Sequence, residues 1–458
     1  MNTIKEEKHL SFIQKIGYGI GDAGSNLSWT FIASFILIYC TDTLGISSAV
    51  VGTLLLISKV LDGISDVFMG RIIDATHSKM GKARFWYFIS GFPVAAFTYF
   101  LFSVPGSFDQ NTKYVYVFVI YTLIGAVFYT MNNIAYSSLT ALCTKNQKDR
   151  VEMGSYRSLF AIIAVLILSS VTSGLVENFG GGQHGWSMVA LIYSIISLIL
   201  LEIPVLAVKE LPAEELGDGQ QGKEDKVGFL AAMVLLCKNK YFLMILGLYL
   251  VMYLAGGITG GMGIYFATYQ LGNPALLGTL SFASLIPIMA ALPFVAKLTA
   301  KYGIRNVCIV GHAVGVLGAI LIILGGIKGN FPLVMSGFIL KALGSAPQSG
   351  ATNALIAEVD EYSYLKFGHR LTGTIYSCSS VGLKVGTGLG TALCGYLLAL
   401  GGYDGTAANQ TVMAISTINW SYLLAQALLP ILSIVLFYFL KVEKDNRSLR
   451  GKQVNERK

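Results

Sequence analysis

Twelve long apolar runs constrain the fold of this 458-residue chain more than any other feature of its sequence. Because an α-helix rises about 1.5 Å per residue and the hydrocarbon core of a bilayer is about 30 Å thick, roughly 20 apolar residues make one span. The runs lie at about residues 17–41, 47–73, 85–104, 114–143, 158–176, 186–208, 241–270, 275–299, 307–327, 331–357, 371–400 and 416–440. Only 13% of the residues are charged, about half the share found in soluble domains. The sequence therefore predicts an all-α membrane protein and argues against a soluble enzyme.

The distribution of Lys and Arg predicts the orientation, because an even number of spans places both termini on one side of the membrane. One set of loops contains nearly all the basic residues: Lys79, Lys82, Arg84, Lys145, Lys148, Arg150, Lys297, Lys301, Arg305, Lys366, Arg370 and the tail from Lys441 to Lys458. The opposite set contains only Lys113 and Lys328. We therefore expect both termini in the cytoplasm. The net charge of +8 reflects this orientation rather than a nucleic-acid partner.

The longest polar stretch divides the runs into six and six. The predicted regions are an N-terminal six-helix bundle (1–208), a cytoplasmic linker (209–240), a C-terminal six-helix bundle (241–440) and a basic cytoplasmic tail (441–458). In proteins built from two such halves, a ligand binds near the bilayer midplane where the halves meet.

The loops and the glycine clusters each allow two interpretations. The basic loop at Gly81 and Arg84 is echoed at Gly303 and Arg305, either as a repeat or only because basic residues face the cytoplasm. Glycines cluster in the first and seventh runs, where they allow close helix packing or mark unwound binding segments. Close packing is the preferred interpretation for the seventh run, and the sequence leaves the first run open.

The cysteines and histidines predict neither a disulfide framework nor a metal centre. The six cysteines lie in spans or on the cytoplasmic side, where disulfides are rare. The five histidines have no ligand spacing. We expect no cofactor and no enzyme active site, since no nucleophile with a base occurs among the polar residues of the runs.

Ionisable residues inside the apolar runs are the main functional signal, because each costs about 2.5–3.5 kcal/mol on insertion scales and needs a partner, water or a function. They are Asp22, Lys59, Asp62, Asp66, Lys341 and Lys384. Glu202 lies near the end of the sixth run, where its side chain is expected to extend to the cytoplasmic surface at little cost.

Asp62 and Asp66 are four residues apart and therefore share one helix face, with Lys59 one turn earlier. Two adjacent carboxylates in a low dielectric cannot both stay unpaired anions, so they attract a proton or a metal cation. This pattern indicates a coupling-ion site for Na⁺ or H⁺. The alternative is a structural charge cluster in which Lys59 neutralises one aspartate.

Polar side chains of other runs lie at a similar predicted depth. Counting about 1.5 Å per residue from the cytoplasmic ends places Asp62 roughly 18 Å and Lys384 roughly 20 Å deep. The same layer contains Ser25, Asn26, Tyr129, Thr130, Asn132, Asn133, Tyr136, Ser137, Ser377, Ser379 and Ser380. Single hydroxyls are ordinarily interhelical contacts, but the paired amides Asn132 and Asn133 suit a ligand with many hydroxyl groups.

Several segments together resemble one known family. They are Tyr18-Gly19-Ile20-Gly21-Asp22, Tyr39-Cys40-Thr41-Asp42, the Asp62 and Asp66 pair followed by Met69-Gly70, Asn133-Ile134-Ala135-Tyr136 with Arg157 after it, and Lys384. In order and in register from about residue 11 to residue 440, the chain resembles the glycoside, pentoside and hexuronide cation symporters of the major facilitator superfamily. This is the family of the melibiose permease. The resemblance implies a major-facilitator fold in which Na⁺, Li⁺ or H⁺ drives uptake of a sugar across the cell inner membrane.

The resemblance also implies roles for individual residues. Asp62 and Asp66 resemble the cation-binding aspartates of the family, Thr130 resembles its hydroxyl ligand, and Ser65 stands in the cation-site turn. The predicted substrate-binding residues are Asp22, Ser25, Asn26, Tyr129, Asn133, Ser137, Arg157, Ser379, Ser380 and Lys384.

The chain departs from the melibiose permease at residues that concern specificity. Asn26 and Asn133 stand where that permease has carboxylates, Ser137 where it has a tryptophan, and Ser65 where it has an amide. These departures argue against melibiose itself and leave the choice between Na⁺ and H⁺ open. With two anions replaced, Lys59, Arg157 and Lys384 are expected to lack compensating charge, which favours an anionic sugar such as a hexuronide or a sulfonated hexose.

We therefore expect a secondary active transporter that symports a sugar or glycoside with Na⁺ or H⁺ by alternating access. Its expected partners are the sugar, the cation and membrane lipid, and the expected unit is a monomer. The alternative is a lipid or amphiphile flippase, or a transporter-like sensor, without ion coupling.

Overall fold

The computed structural model describes residues 9–144, 146–212, 229–367, 372–407 and 409–456. Within these ranges all regular secondary structure is helical, so the predicted all-α class is confirmed. Some helical side chains, those of Ser377, Ser379 and Ser380 among them, lie outside the described set.

The helices of the first half follow the predicted runs closely. They are α1 (Phe12–Ile38), α2 (Ser48–Ala75), α3 (Ala83–Leu101), α4 (Gln110–Thr122), α5 (Thr130–Cys143), α6 (Gln147–Asn178) and α7 (Gly182–Ala207). A π-helical segment, Tyr39–Thr43, extends α1. A second one, Leu123–Tyr129, joins α4 to α5. The start of α1 is fixed by a capping box, in which Ser11 and Gln14 bond each other's backbone N–H groups.

The helices of the second half also follow the predicted runs, with two additions. They are α8 (Phe229–Lys238), α9 (Lys240–Tyr265), α10 (Leu276–Tyr302), α11 (Ile304–Lys328), α12 (Phe331–Phe367), α13 (Thr372–Leu400), α14 (Val412–Phe439) and α15 (Val442–Glu456). A π-helical segment, Phe266–Gln270, extends α9. Asn239 caps the start of α9, because its side-chain oxygen accepts the N–H groups of Tyr241 and Phe242.

By length and apolarity, nine helical stretches among the described residues could cross a membrane. The other three predicted runs coincide with α2, α3 and α12. The count of twelve spans and the cytoplasmic position of the termini remain predictions.

Two helices lie in regions that the sequence assigned to the linker and the tail. α8 falls within 209–240, and its Leu236 is fully buried. α15 falls within 441–458, and its first turn carries Glu443 and Asp445, whose negative charge suits a helix N-terminus. Neither helix approaches 20 apolar residues, so a search for spans does not find them.

The helices form two compact units. The first contains α1 to α7 with the segments Pro274–Gly278 and Leu398–Thr411, and the second contains most of α8 to α15. In the core of the first unit, Tyr18 and Tyr136 are fully buried and stack with ring centres 4.6 Å apart. The core of the second unit includes the buried Tyr241 and Phe437.

The glycine clusters serve close helix packing in both units. α1 is continuous through its glycines, and a Cβ at Gly21 would lie 2.6 Å from Pro204 of α7. In the second unit, a Cβ at Gly257 of α9 would lie 2.6 Å from the carbonyl oxygen of Thr387 in α13. The structure thus resolves the open question for the first run and agrees with the preferred interpretation for the seventh.

The basic loop of the first unit ties the start of α3 to the end of α7. Gly81 has a φ of +108°, which a residue with a side chain rarely adopts. Glu210, after α7, accepts the N–H groups of Lys82 at 2.8 Å and Arg84 at 2.7 Å. The Nε of Arg84 in turn donates to the carbonyl of Val205 at 2.8 Å. A carboxylate therefore caps one helix and a guanidinium caps the other.

The second unit contains the same arrangement between α11 and α14. Gly303 has a φ of +81°. Glu443 accepts the N–H groups of Ile304 at 3.1 Å and Arg305 at 3.2 Å, and the Nε of Arg305 donates to the carbonyl of Phe437 at 3.1 Å. The echo between the two loops is therefore a structural repeat and not only a signal of orientation.

Candidate functional site

Asp62 of α2 is the centre of a buried polar cluster and is only 5% exposed. Its Oδ1 accepts the hydroxyl of Thr130 at 2.8 Å, and its Oδ2 accepts the ammonium of Lys59 at 3.1 Å. The hydroxyl of Ser65 donates to the backbone carbonyl of Asp62 at 2.8 Å. Asp66 follows one turn later and is partly buried. The structure thus brings the Asp62 carboxylate and the Thr130 hydroxyl into direct contact, while Ser65 bonds the backbone of the same turn.

The π-helical segment before α5 shifts the register of the side chains that follow it. At its end, the N–H of Thr130 bonds the carbonyl of Gly125, and the Thr130 hydroxyl lies 3.2 Å from the same carbonyl. π-Helical turns inside α-helices occur frequently at functional sites. The periodicity of the sequence does not reveal this segment, although it predicts the helix on either side.

Lys59 has an aromatic neighbour in addition to Asp62. Its Nζ lies 3.8 Å from the centre of the Trp29 ring in α1, and Trp29 stacks on Tyr129 with ring centres 4.6 Å apart. A desolvated cation over an indole gains about 2 kcal/mol. The ion pair foreseen as the alternative to a cation site is therefore present, and any cation that binds Asp62 must compete with Lys59.

A second ion pair joins α1 to α6. The Nε of Arg157 donates to Oδ2 of Asp22 at 2.8 Å, and the guanidinium carbon lies 4.2 Å from the centre of the Tyr136 ring. Tyr136 is itself fixed, since its hydroxyl donates to the carbonyl of Tyr18 and the Tyr18 hydroxyl donates to the carbonyl of Tyr136. The ion pair of Asp22 and Arg157 therefore offers a ligand both hydrogen-bond donors and acceptors, and the ring of Tyr136 beside it is held in place.

One face of α1 connects the two ion pairs. Asp22, Asn26 and Trp29 are spaced four and then three residues apart, which places them on the same side of the helix. The amide of Asn26 donates to the backbone carbonyl of Asp22 at 2.8 Å, and its oxygen accepts the hydroxyl of Thr30 at 2.9 Å. Ser25, three residues after Asp22, is buried, with 4% exposure. Trp29 was not among the predicted site residues, although its spacing from Asp22 and Asn26 is the signal that could have found it.

The two amides of α5 have different surroundings. Asn133 and Ser137 are exposed and lie one turn apart on one helix face. Asn132 is fully buried and donates to the hydroxyl of Ser90 in α3 at 3.0 Å. Asn132 therefore stabilises the packing of α3 against α5, and Asn133 is the amide that remains a candidate for ligand binding.

In the second unit, Lys384 of α13 is partly buried, while the predicted Ser379 and Ser380 side chains lie outside the described residues. Lys341 of α12 donates to the side-chain oxygen of Gln426 in α14. The placement of Lys384 beside the residues of the first unit remains a prediction from the resemblance.

Glu202 does not extend to the surface, so the expectation of a carboxylate that reaches the cytoplasm is wrong. Both of its carboxylate oxygens are buried, and no described residue donates a hydrogen bond to them. α3 packs tightly against α7 here, as shown by Gly91, where a Cβ would lie only 2.7 Å from Oε1 of Glu202. Because Gly91 has no side chain, there is room beside it for the carboxyl group of Glu202.

The charge argument for an anionic sugar also needs correction. Lys59 and Arg157 were expected to lack compensating charge, but each forms an ion pair with an aspartate of the first unit. The aspartates that compensate them, Asp62 and Asp22, are present in the sequence, and only the geometry shows which cation each one faces.

Ion pairs held inside a bundle of long apolar helices are typical of ion and substrate pathways through membranes. The chain belongs to the MFS/sugar transport protein family, whose model matches residues 17–444, and it is a multi-pass protein of the inner membrane. The Isoprimeverose transporter of Lactiplantibacillus pentosus is 29% identical over 438 residues, which cover 94% of this chain and 89% of the relative. The Glucuronide carrier protein homolog of Escherichia coli (strain K12) is 25% identical over 456 residues, which cover 96% of this chain and 97% of the relative.

Solved structures support the fold. The crystal structure of the nucleoside transporter NupG superposes with a TM-score of 0.62 at 17% identity and covers 93% of this chain and 99% of its own. A bacterial homolog of the human lysosomal transporter Spinster, in an inward-facing conformation, superposes with a TM-score of 0.70 at 13% identity, covering 94% and 96%. These likenesses establish a major-facilitator-like helical fold.

Proposed function

We propose that the chain is a secondary active transporter that symports a sugar or glycoside with Na⁺ or H⁺ by alternating access. The observation that carries the proposal is the buried Asp62 carboxylate, which contacts Thr130 and Lys59 and lies one turn before Asp66. Buried ionisable groups inside transporters mark ion and substrate pathways. The names of the relatives include both sugar carriers and cation symporters, which supports the same function.

The proposed cation site consists of Asp62, Asp66, Thr130 and Ser65. Carboxylate and hydroxyl oxygens suit a hard cation such as Na⁺, and a carboxylate alone suffices for H⁺. Within the described residues no group of three or more His, Cys, Asp or Glu side chains converges, so a transition-metal centre does not fit this donor set. Two carboxylates with neutral oxygens fit a weakly held ion that must leave again in every cycle.

Lys59 provides a mechanism for coupling. When the coupling cation is absent, the Lys59 ammonium neutralises Asp62 at 3.1 Å. When the cation arrives, we expect Lys59 to give up Asp62 and to rest on Trp29, whose ring already lies 3.8 Å away. Trp29 shares a helix face with Asp22 and Asn26, which belong to the proposed sugar site. A shift of Lys59 toward Trp29 therefore changes contacts on the same face of α1.

The proposed sugar site combines charged, amide and hydroxyl groups. It consists of Asp22, Ser25, Asn26, Tyr129, Asn133, Ser137, Arg157, Ser379, Ser380 and Lys384. The Asp22 and Arg157 pair offers an acceptor and a donor to sugar hydroxyls. The stacked rings of Trp29 and Tyr129 add an apolar wall. Binding of the cation raises the affinity for the sugar, and binding of the sugar raises the affinity for the cation to the same degree, since coupling between two ligands is reciprocal.

The two ion pairs favour a neutral sugar or glycoside over an anionic one, because the cationic groups of Lys59 and Arg157 already have carboxylate partners. An anionic sugar is the alternative and depends on Lys384. Uptake of a glucuronide and of its uncharged glucoside by the same vesicles separates the two: a preference for the glucoside supports the ion-pair argument, and a preference for the glucuronide contradicts it.

The test of the proposed function is uptake of radiolabelled sugars and glycosides into proteoliposomes under an imposed Na⁺ or H⁺ gradient. We expect one gradient to drive accumulation above the external concentration and the sugar to drive cation entry in return. Asp66→Asn should abolish accumulation while some exchange remains, because the cation site is lost and the sugar site is kept. Accumulation by Asp66→Asn equal to that of the wild type would refute the cation-site assignment. Transport with no cation flux would support an uncoupled flippase or sensor instead.

A further inference from the structure

A large cavity lies in the second unit, and its lining includes none of the residues assigned to the sugar or the cation. Its volume is about 1040 Å³, and its walls come from α10, α11, α12 and the junction of α14 with α15. Ligand pockets in proteins commonly enclose about 300–1,000 Å³, so the cavity is large enough for a substantial ligand. It lies among the loops and tail that the distribution of basic residues assigns to the cytoplasmic side.

The lining of the cavity contains two chemically different groups of residues. The apolar group, here called the apolar wall, includes Leu292, Val295, Ala351 and Ala354, and the basic group, here called the basic rim, consists of Lys301, Arg305, Lys441, Lys444 and Arg447. A cavity with a cationic rim and an apolar wall matches an amphiphilic anion better than a small hydrophilic one.

Most of the basic rim has no carboxylate partner among the described residues. In the described part of the chain, Lys301, Lys441, Lys444 and Arg447 form no ion pair with a carboxylate. The one acidic residue of the lining, Glu443, is already engaged, because its two oxygens accept N–H groups at the start of α11. The described lining therefore carries a net positive charge that can attract an anion.

The orientation of α15 holds two of these cations in place. Asp445 accepts the hydroxyl of Tyr241 at 2.6 Å, and Leu449 packs against the core of the second unit. The side of α15 that carries these residues is therefore anchored to the bundle. Lys444 and Arg447, three residues apart, lie together on another side and line the cavity.

The apolar wall continues into surface that faces lipid. Leu292 belongs to the α10 stretch that is apolar enough to span a membrane, and its neighbours Phe294 and Leu298 are exposed. A ligand with an anionic head in the basic rim can therefore extend acyl chains along α10 into the bilayer. A free anion such as inorganic phosphate has no apolar part and would make no contact with the apolar wall.

We infer that this cavity binds the headgroup of an anionic phospholipid from the cytoplasmic leaflet, with the phosphate between Lys444 and Arg447 and the acyl chains along α10. Basic pockets between membrane helices on this side bind anionic headgroups in other proteins, and each Lys or Arg near such a surface contributes measurably to the affinity. The site is separate from the sugar and cation residues and does not depend on the proposed coupling.

The test is native mass spectrometry of the full-length purified chain with phosphatidylglycerol, cardiolipin and phosphatidylcholine, together with a soluble competitor, inorganic phosphate. We expect retention of phosphatidylglycerol or cardiolipin over phosphatidylcholine, with little competition by inorganic phosphate. Lys444→Gln with Arg447→Gln should weaken binding of the anionic lipid about 30-fold. The matched control, Lys113→Gln with Lys328→Gln, removes the same charge from other loops and should bind as the wild type does.

A second variant separates a built site from diffuse attraction to a basic surface. Ala354 is exposed on the apolar wall, so Ala354→Trp fills the cavity and leaves every basic residue in place. We expect this variant to lose the retained anionic lipid while its thermal unfolding stays close to that of the wild type. Equal lipid retention by Ala354→Trp or by the double Gln variant would overturn the inference. So would displacement of the lipid by inorganic phosphate at equal concentration.

Discussion

The hydroxyl of Thr130 gives the sharpest test of the cation site. It is 3% exposed and donates to Oδ1 of Asp62 at 2.8 Å. Thr130→Val keeps the shape of the side chain and replaces the hydroxyl with a methyl group. A hydrogen bond to a charged group contributes about 1.5–3 kcal/mol, and about 1.4 kcal/mol corresponds to a factor of ten in an equilibrium constant. In the proposed cation-bound site the same oxygen contacts the cation, so loss of a charge-assisted contact of this size corresponds to about 10- to 100-fold in the affinity of the site for its cation.

The assay is the dependence of sugar uptake on the concentration of the coupling cation. We expect Thr130→Val to raise the half-maximal cation concentration about 10- to 100-fold and to approach the wild-type rate when the cation is saturating. The matched control is Thr98→Val, because Thr98 is fully buried in α3 and donates only within its own helix, to Val94 at 2.8 Å. A half-maximal concentration for Thr130→Val equal to that of the wild type and of Thr98→Val would refute the assignment.

Other predictions concern stability, measured by thermal unfolding of the purified protein. Glu202→Gln should unfold at the same temperature as the wild type or higher, because a neutral amide costs less to bury without a donor than a carboxylate does; marked destabilisation would contradict this. Gly257→Ala should cost about 1–3 kcal/mol, since the new Cβ meets a backbone carbonyl of α13, whereas Gly256→Ala has open space and should be tolerated; equal behaviour of the two would contradict close packing. Burial raises the pKa of Asp149, but Lys15 at 2.6 Å and further donors lower it more, so the pKa lies below its usual value. This group stabilises the fold above its unfolded pKa of about 3.9 and stops doing so as the pH falls through the lower folded pKa. Asp149→Asn should therefore cost about 2 kcal/mol at neutral pH and progressively less in acid, and a deficit that does not depend on pH would contradict the prediction.

The helices could be predicted from the sequence because length and apolarity alone determine where a chain can cross a bilayer. The same criterion misses the π-helical segment at Leu123–Tyr129, which keeps the same polarity as the helix around it. It also misses α8 and α15, whose burial depends on contacts such as that of Leu236 with the core of the second unit. Such contacts join residues far apart in the chain and leave no local pattern.

For the candidate site, the sequence identified the ionisable residues but not their partners. The spacing of Asp62 and Asp66 placed them on one helix face, and the structure adds Thr130 from another helix. The sequence predicted that Arg157 lacks a compensating charge, and this was wrong, because its ion pair with Asp22 depends on how α1 packs against α6. The prediction for Glu202 was wrong too, because a carboxyl near a helix end reaches water only if no neighbouring helix covers it.

The most direct test of the central claim, that Asp62 and Asp66 hold the coupling cation, is calorimetric titration of the purified protein with sugar and with cation, each in the absence and presence of the other. We expect the cation to raise sugar affinity and the sugar to raise cation affinity by the same factor, about 5- to 150-fold. Both effects should disappear in Asp66→Asn. A wild-type sugar affinity that is indifferent to Na⁺ and to pH, or a coupling factor that survives in Asp66→Asn, would contradict that claim.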